Sequence, residues 1–424
     1  MLDIKFIREN KDLIIEAARK KRIKFDVNAL LKVDDKRREL LGAVESKRTI
    51  QNEMSQEIVK ESSSTVKLQL IEKMKVVKEA LQKEEEELKE VMKDWQDLML
   101  HVPNVPDISV PEGDGEKDNK VLKKWGELPK FDFVPKDHIA IMEDLDMADF
   151  TRGIKVHGFR GYFLKNDGAL LSWAIWNYAQ DFFLKKKFVP FIAPAIVNKQ
   201  YFYGTGHLPG GAEDIFQTQD DQYLSGTAEV PMMAYHADEI FQQKDLPKRY
   251  LAFSPCFRRE AGSHSKDVKG LIRVHEFFKL EQLVICEASH DESVRIHEEL
   301  NRNTEEFIES LGIPYRQVAI CGGDLKAAHV KSYDTDLWVP KENTYREIGS
   351  ASYYHDFQTR RFGIRYKDVD GKIKFAHSLN ATAIPTPRIL VSLVENYQQA
   401  DGSVKIPEVL QKYMGGRTTI TKKI

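Results

Sequence analysis

The first hundred residues of the chain carry hydrophobic side chains at steps of three and four positions, the spacing of a coiled-coil seam. This seam comprises Leu70, Met74, Val77, Leu81, Glu84, Leu88, Val91, Trp95 and Leu98. A second seam with weaker apolar content comprises Leu40, Val44, Lys47, Gln51, Met54 and Ile58. The polar segment Glu61–Thr65 between them predicts a turn, with Ser64 or Thr65 capping the second helix. The pattern therefore predicts an antiparallel two-helix coiled-coil arm.

After residue 100 the pattern changes. From His101 to about Lys130, proline, glycine and aspartate are frequent, which predicts a linker. Beyond it, contiguous strand-like runs flanked by a few helical runs favour an α+β domain with a mainly antiparallel sheet. The expected helices cover 170–187 and 387–399, and the expected strands cover 188–197, 221–225, 249–257, 272–284, 345–354 and 361–366. We therefore predict a helical domain over 1–100, a linker over 101–130 and an α+β domain over 131–424.

Composition indicates a soluble globular chain of about two domains. Its 424 residues are 42% hydrophobic and 31% charged, with a net charge of -2, which neither requires nor excludes a nucleic-acid partner. No apolar run approaches the roughly 20 residues that a membrane span needs. Cys256, Cys286 and Cys321 fit neither a disulfide framework nor zinc spacing, so we expect a reducing, cytoplasmic location.

Basic residues cluster before the arm and at its base, at Arg19–Arg22 and Lys36–Arg38. A solvated helix face explains them adequately. The alternative is that the arm binds the phosphate backbone of an RNA, which would make binding strongly salt-dependent. The sequence leaves both interpretations open.

The richest candidate chemistry lies in a predicted hairpin from Phe257 to Glu281, whose loop over 262–270 is rich in glycine, serine, lysine and aspartate. The candidate side chains at alternating positions are Arg258 and Glu260 on the first strand, and Arg273, Phe277, Lys279 and Glu281 on the second. Arginines could neutralise a polyphosphate, an aromatic ring could stack on a base, and a carboxylate could bind an ammonium. A surface hairpin held by ion pairs fits the same pattern.

Other segments have both a structural and a functional explanation. Thr227–Glu229 fits the start of a helix as well as the wall of a polar pocket. Glu347 and Ser350 offer oxygen ligands of the kind that Mg²⁺ accepts, although a bulged strand accounts for them too. Arg388 at a helix start fits a salt bridge or an anion site.

In order and content these segments resemble the three signature motifs of class II aminoacyl-tRNA synthetases, and specifically those of the seryl-tRNA synthetase family. Residues 188–197 resemble motif 1, residues 257–281 resemble motif 2 and residues 380–397 resemble motif 3. Further similar segments are the start Met1-Leu-Asp-Ile-Lys, the helical hairpin, Pro103-Asn-Val-Pro, Gly204-Thr-Gly, Thr227-Ala-Glu-Val-Pro and Asp356-Phe-Gln. The likeness covers essentially the whole chain and implies a class II catalytic domain with an N-terminal tRNA-binding domain.

The resemblance implies that ATP activates L-serine to seryl-adenylate, which is then transferred to the 3′ end of tRNA-Ser. By motif, Arg258 would hold the α-phosphate, Glu260 the adenine amino group and Arg388 the γ-phosphate. Phe278 would stack on adenine, whereas strand alternation by itself favours Phe277. The implied catalytic residues are Arg258, Arg388 and Glu347. The implied ATP-binding set is Arg258, Arg259, Glu260, Arg273, Val274, Phe278, Glu347, Ile348, Gly349, Ser350 and Arg388, with Glu347 and Ser350 as ligands of Mg²⁺.

The serine-binding set implied by the resemblance is Thr227, Ala228, Glu229, Arg258, Glu281, Asn380 and Thr382. Glu281 and Thr227, with Glu229, would bind the substrate ammonium. Thr382, with Asn380 nearby, would read the substrate hydroxyl. The chain departs from the common pattern at Arg259, where serine is frequent in the family.

The resemblance also implies a homodimer built on residues 188–197, and an arm that binds the long variable arm of tRNA-Ser. It leaves open whether tRNA-Sec is charged as well. One alternative is a catalytically weak paralogue that acts by binding RNA. Another is a ligase that loads a carrier protein, although such relatives lack the hairpin arm.

Overall fold

The computed structural model describes residues 1–262, 267 and 269–422. Its helices are α1 (Ile4–Glu9), α2 (Lys11–Lys20), α3 (Val27–Lys60), α4 (Ser64–His101), α5 (His138–Asp144), α6 (Phe150–His157), α7 (Asn166–Leu184), α8 (Gln200–Thr205), α9 (Glu229–Tyr235), α10 (His290–Ser310), α11 (Phe357–Phe362), α12 (Arg388–Asn396) and α13 (Glu408–Gln411). Its strands are β1 (Lys120–Trp125), β2 (Ala148–Asp149), β3 (Phe163–Leu164), β4 (Val189–Ile192), β5 (Ile196–Asn198), β6 (Phe216–Gln217), β7 (Gln222–Leu224), β8 (Ile240–Gln242), β9 (Lys248–Phe257), β10 (Glu276–Cys286), β11 (Tyr315–Ala319), β12 (Lys331–Val339), β13 (Thr344–His355), β14 (Arg365–Lys367), β15 (Ile373–Phe375), β16 (His377–Thr386), β17 (Val404–Lys405) and β18 (Thr419–Ile420).

The chain divides into two compact units, the smaller of which covers 2–19 and 23–103. In this helical unit α3 and α4 pack against each other, and both predicted seams lie at partly or fully buried positions. The two charged seam residues face each other, with the Nζ atom of Lys47 2.6 Å from Oε1 of Glu84. Because each charge compensates the other, the polar seam positions are compatible with the helix pair. The predicted two-helix arm is confirmed.

Local capping sets where the arm helices begin. The carboxylate of Asp26 accepts hydrogen bonds from the backbone of Asn28 and Ala29, which starts α3. Ser63 is the N-cap of α4, one residue before the predicted Ser64 or Thr65. The backbone N–H of Ser63 is bound by the side chain of Glu61 at 2.7 Å, so the turn ends earlier than the run of serines suggested.

The larger unit covers Met1, 20–22 and 104–424, and contains an eight-stranded sheet in the order β1-β11-β12-β13-β16-β10-β9-β4. Neighbouring strands are antiparallel except β4 and β9, which are parallel. Residues of α7, α10 and α12 join the sheet in the main hydrophobic core. The predicted α+β class with a mainly antiparallel sheet is confirmed.

Four predicted elements differ from the structure. The expected strand over 188–197 divides into β4 and β5, which belong to different sheets. The expected strand over 272–284 begins only at Glu276, because the carbonyl of Ile272 accepts from Arg388 instead of joining a ladder. Residues 361 and 362 belong to α11, which ends at Gly363 with φ +67°, a left-handed conformation suited to glycine. The segment 101–130 contributes the edge strand β1, whose six side chains are all exposed and therefore show no burial pattern. The domain boundaries at 101 and 130 stay predictions.

Among the described residues, no helix has the length and apolar character needed to cross a bilayer. The three cysteines are buried and unbridged.

Candidate active site

Two adjoining cavities lie on the central sheet, the narrow one over β10, β13 and β16, and the wide one over β11, β12 and β13. The narrow one has a volume of about 70 Å³ and the wide one about 620 Å³. Residues lining both are Arg258, Glu260, Ile272, Glu347, Ser350 and Arg388. The sheet therefore brings together polar residues that are up to 130 positions apart in the chain.

Arg258 follows the last residue of β9, and its guanidinium lies over the ring of Phe277 at 5.3 Å from the centroid. Its Nη2 atom donates to the carbonyl of Gly226 at 3.4 Å. A Cβ atom at Gly226 would lie 3.0 Å from the Arg258 side chain, so glycine permits this close approach. The cation is held by a ring on one side and by the backbone on the other.

The structure does not bring Phe278 to these cavities, which corrects the placement taken from the motif. Successive side chains of β10 point to opposite faces, so Phe277 lines the narrow cavity and Phe278 faces away. Phe278 stacks on Phe253, with ring centroids 6.0 Å apart, and lines a separate cavity of about 500 Å³. Arg259 is also outside, because its side chain is exposed and lines neither active-site cavity.

Glu260 and Arg273 form the outer part of the hairpin. The Nη1 atom of Arg273 lies 3.0 Å from Oε2 of Glu260, and its Nε atom lies 3.2 Å from Oδ2 of Asp267. Buried Val274 lines the narrow cavity beside them. Residues 263–266 and 268 of the predicted loop lie outside the described residues.

A β-bulge in β13 positions the predicted metal ligands. Thr335 pairs with Gly349 and Asp336 pairs with Glu347, so Ile348 is the extra residue. Glu347 and Ser350 both line the two cavities, while Ile348, which is buried, lines only the narrow one. A Cβ atom at Gly349 would lie 2.4 Å from Cβ of Thr382, so glycine lets β13 and β16 approach closely at this point.

Arg388 is the first residue of α12 and lines both cavities. Its Nε atom donates to the carbonyl of Ile272 at 2.8 Å, and its Nη1 atom donates to the carbonyl of Glu347 at 3.0 Å. Burial lowers the pKa of Arg388, and the carboxylate of Glu347 acts in the opposite direction. These contacts orient a second guanidinium toward the cavity.

A buried polar cluster lies beside Arg258 and contains Thr227, Glu281 and Lys279. The Lys279 ammonium pairs with the Glu281 carboxylate and donates to the Thr227 hydroxyl at 2.9 Å. Thr227 Oγ1 in turn donates to Oε2 of Glu281 at 3.2 Å. Burial raises the pKa of Glu281, while the charge of Lys279 opposes that rise.

Glu229 is held by a second set of buried donors. Gln358 donates to its Oε1 atom at 2.6 Å, and Asn380 donates to its Oε2 atom at 2.8 Å. The amide oxygen of Asn380 accepts from the Tyr354 hydroxyl at 2.9 Å. Burial raises the pKa of Glu229, and the hydrogen bond from Gln358 opposes the rise. Ala228 is fully buried next to this carboxylate.

The residue sets implied by the family resemblance omit Lys279 and Gln358, although both bind carboxylates of the site directly. Lys279 has a signal in the sequence, since it shares the alternation of Phe277 and Glu281. Gln358 has no such signal in the sequence, because it lies in α11 and contacts Glu229 only through the packing of that helix on α9.

The oxygen donors near the cavities could bind Mg²⁺ only together with a bound substrate that supplies further oxygen atoms. Within the described ranges, no group of three or more His, Cys, Asp or Glu side chains could hold a metal ion. Glu347 and Ser350 supply one carboxylate and one hydroxyl. Mg²⁺ commonly takes one or two carboxylates and completes its shell with water and substrate phosphates, so this donor set fits.

Comparisons with known proteins agree over both units. Residues 1–106 match the family model of the seryl-tRNA synthetase N-terminal domain, and residues 214–397 match that of the tRNA synthetase class II core domain (G, H, P, S and T). The chain is 43% identical to the serine–tRNA ligase of Deinococcus radiodurans, with 100% of both chains covered, and 43% identical to that of Thermodesulfovibrio yellowstonii, with 98% of this chain and 99% of the relative covered.

Solved structures are similar over the same length. A seryl-tRNA synthetase from Pyrococcus horikoshii, complexed with ATP, has a TM-score of 0.91 at 37% identity, with 100% of both chains covered. A cytoplasmic serine–tRNA ligase from Naegleria fowleri, in complex with AMP, has a TM-score of 0.87 at 34% identity, with 100% of this chain and 99% of the other covered. The chain therefore belongs to the seryl-tRNA synthetase family, with the class II synthetase core.

Proposed function

We propose that the chain is a serine–tRNA ligase, which joins L-serine to ATP as seryl-adenylate and transfers the seryl group to tRNA-Ser. The observation that carries the proposal is the convergence of Arg258, Arg388 and Glu347 on one cavity, beside the buried cluster of Lys279 and Glu281. No observation favours a catalytically weak RNA-binding paralogue or a carrier-protein ligase.

The proposed first step is attack of the serine carboxylate on the α-phosphorus, with pyrophosphate as the leaving group. It needs no nucleophile from the protein, so catalysis rests on positioning and on neutralising charge. Arg258 would contact the α-phosphate and Arg388 the γ-phosphate. Phe277, which lies under Arg258, would stack on adenine in place of Phe278. Glu347 and Ser350 would hold Mg²⁺, which supplies further neutralisation of the phosphates.

The polar cluster suits a zwitterionic amino acid. Glu281 and Thr227 would take the substrate ammonium, which frees the Lys279 ammonium to bind the substrate carboxylate. Glu229, Asn380 and Thr382 would bind the hydroxyl end. Alanine lacks that hydroxyl and would leave buried polar groups unpaired, which can cost a factor of about 10⁴ to 10⁵ in selectivity.

The test is ATP–pyrophosphate exchange with a panel of amino acids. We expect exchange with serine at neutral pH and at least about 10³-fold lower kcat/KM with alanine, because of the unpaired groups. Lysine, glycine and threonine serve as further comparisons. Exchange with one of these and not with serine would refute the substrate assignment, and exchange with none would refute the proposed activity.

We also infer a homodimer from the surface around β4. This strand is the edge of the sheet, and apolar side chains are exposed on it and on the helices α6 and α7. They are Ile154, Val156, Leu170, Trp173, Val189 and Ile192. Large exposed apolar patches mark interaction sites, and the similarity of 188–197 to motif 1 supports a second copy as the partner.

Sedimentation of the full chain is expected to give the mass of two chains. Ile192 is 86% exposed, more than any other residue of this patch, so a substitution there tests the inference most directly. The variant Ile192→Asp should sediment as a monomer because it places a charge in the buried interface. An Ile108→Asp variant, altered at a still more exposed isoleucine outside the patch, should remain dimeric. A wild-type monomer at micromolar concentration would contradict the inference.

The remaining partners belong to the same proposal. ATP, Mg²⁺ and L-serine are the substrates and cofactor of the first step, and tRNA-Ser is the acceptor in the second. The arm would bind tRNA through its basic residues. Charging of tRNA-Sec and a cytoplasmic location stay predictions.

A further inference from the structure

A lysine outside the three motifs faces the same cavity. Lys326 lies in the segment before β12, and its side chain is exposed to the wide cavity that Arg258, Glu347 and Ser350 also line. Within the described part of the chain, its ammonium donates no hydrogen bond to another residue, so its donors are available to a ligand. The proposed function gives this residue no role.

The charges around Lys326 place it at the reacting end of the site. Although the residue as a whole is exposed, desolvation of its ammonium within the cavity lowers the pKa of Lys326. Repulsion by Arg258 is the next largest cause, and the carboxylates of Glu229, Glu347 and Asp334 act in the opposite direction. Lys326 and Arg258 also both lower the pKa of His207, to about 3, after the larger effect of burial. Two cations that repel each other across an open cavity create a site for an anion between them.

The backbone that carries Lys326 is unusually well anchored. The ammonium of Lys21 donates to the carbonyls of residues 326 and 327 at 3.1 and 2.9 Å, and to that of residue 329 at 2.5 Å. Asn104 donates to the carbonyl of Ala328 at 2.9 Å through its side chain. With each of these four carbonyls bound by a buried donor, the loop presents its lysine in a preorganised position.

Lys326 and Arg258 are carried by segments next to two strands that are not neighbours in the sheet. Arg258 follows β9 and Lys326 precedes β12, with β13, β16 and β10 lying between these strands in the sheet. The two side chains therefore approach the cavity from different sides. A phosphoryl group held by Arg258 would lie in the space that Lys326 also faces.

We propose that Lys326 contacts the α-phosphoryl group of ATP on the side away from Arg258, and keeps that contact in the seryl-adenylate. This rests on the proposed function, because it assigns a residue within the same site. The residue is a phosphate-binding group that the motifs do not include. Its charge would stabilise the phosphoryl oxygens during attack and after pyrophosphate leaves.

Binding of AMP and of adenosine isolates this contact, because the two ligands differ only in the α-phosphate. Calorimetry should show that Lys326→Met weakens AMP binding about 10-fold, the value of one charged hydrogen bond, and leaves adenosine binding unchanged. Lys326→Arg should retain most of the AMP affinity because it keeps the charge. Lys372→Met, at an exposed lysine in the turn between β14 and β15, is the matched control and should behave like wild type.

Three outcomes would overturn the proposal. The first is an unchanged AMP affinity in Lys326→Met, and the second is an equal loss of affinity for AMP and for adenosine. The third is a variant in which only the rate of seryl transfer onto tRNA falls. The last would assign the lysine to the acceptor-end phosphates. Failure of the proposed function is seen separately, since it would abolish serine-dependent exchange in the wild-type chain, whereas Lys326 is tested by the difference between two binding constants.

Discussion

Replacing Arg258 by methionine is expected to lower the kcat of serine-dependent ATP–pyrophosphate exchange by about 10³-fold, because one preorganised donor to developing charge contributes roughly 10² to 10³. Methionine keeps much of the side-chain volume over the Phe277 ring but removes the cation. The effect should be on kcat more than on the KM for serine, since the ammonium site around Glu281 is intact.

The matched control is Arg295→Met. Arg295 is an exposed arginine on α10 that pairs with Glu292 and Glu299, away from the cavities. Its loss should change exchange by less than about twofold, because exposed ion pairs contribute little. An Arg258→Met enzyme that retained more than a tenth of the wild-type kcat would show that this guanidinium does not hold the reacting phosphate.

Shortening the arm is expected to separate the two steps of the reaction. Removing residues 48–83 and joining Lys47 to Glu84 through a four-residue glycine-serine turn preserves the interhelical ion pair at the new tip. Aminoacylation of tRNA-Ser should fall by about 10²-fold or more, because several contacts to the tRNA backbone would be lost. Serine-dependent exchange should stay within about twofold of wild type, because the cavity residues belong to the other unit.

The control for the arm changes charge without changing length. Glu53→Gln with Glu79→Gln removes two exposed carboxylates from the same two helices. Aminoacylation by this variant should not fall, since phosphates are repelled by carboxylates. If the shortened enzyme lost exchange and aminoacylation equally, the arm would be needed for the fold of the catalytic unit and not for tRNA.

The hairpin shows how far strand alternation can be read from a sequence. Alternation placed Phe277, Lys279 and Glu281 together, and the structure has these three side chains facing the cavity and its polar cluster. The motif likeness assigned the aromatic role to Phe278, which lies on the opposite face of β10 from Phe277. Within a strand, neighbouring residues point to opposite faces, so these two adjacent phenylalanines line different cavities.

For other residues of the site, no periodic pattern in the sequence predicts that they face the cavity. Glu347 and Ser350 face the same cavity because Ile348 is bulged, and a bulge depends on the pairing with β12. Lys326 belongs to a segment of irregular backbone whose position is set by Lys21 and Asn104, far away in the chain. Such contacts arise only when the sheet and the segments before it are packed.

The sequence by itself determined the elements with a strong local period: the two arm helices, the strands β9, β13 and most of β10, and the helix that begins at Arg388. It also carried enough ordered motifs to indicate the family. The tertiary structure decided which of these residues share the cavity. Phe277 lines it and Phe278 does not, Arg259 lies outside it, Lys326 lines its wide part, and Gln358 binds Glu229 nearby. The physical reason is that a periodic pattern reports burial along one element, whereas a site is formed by side chains from several elements whose register and packing no single segment contains.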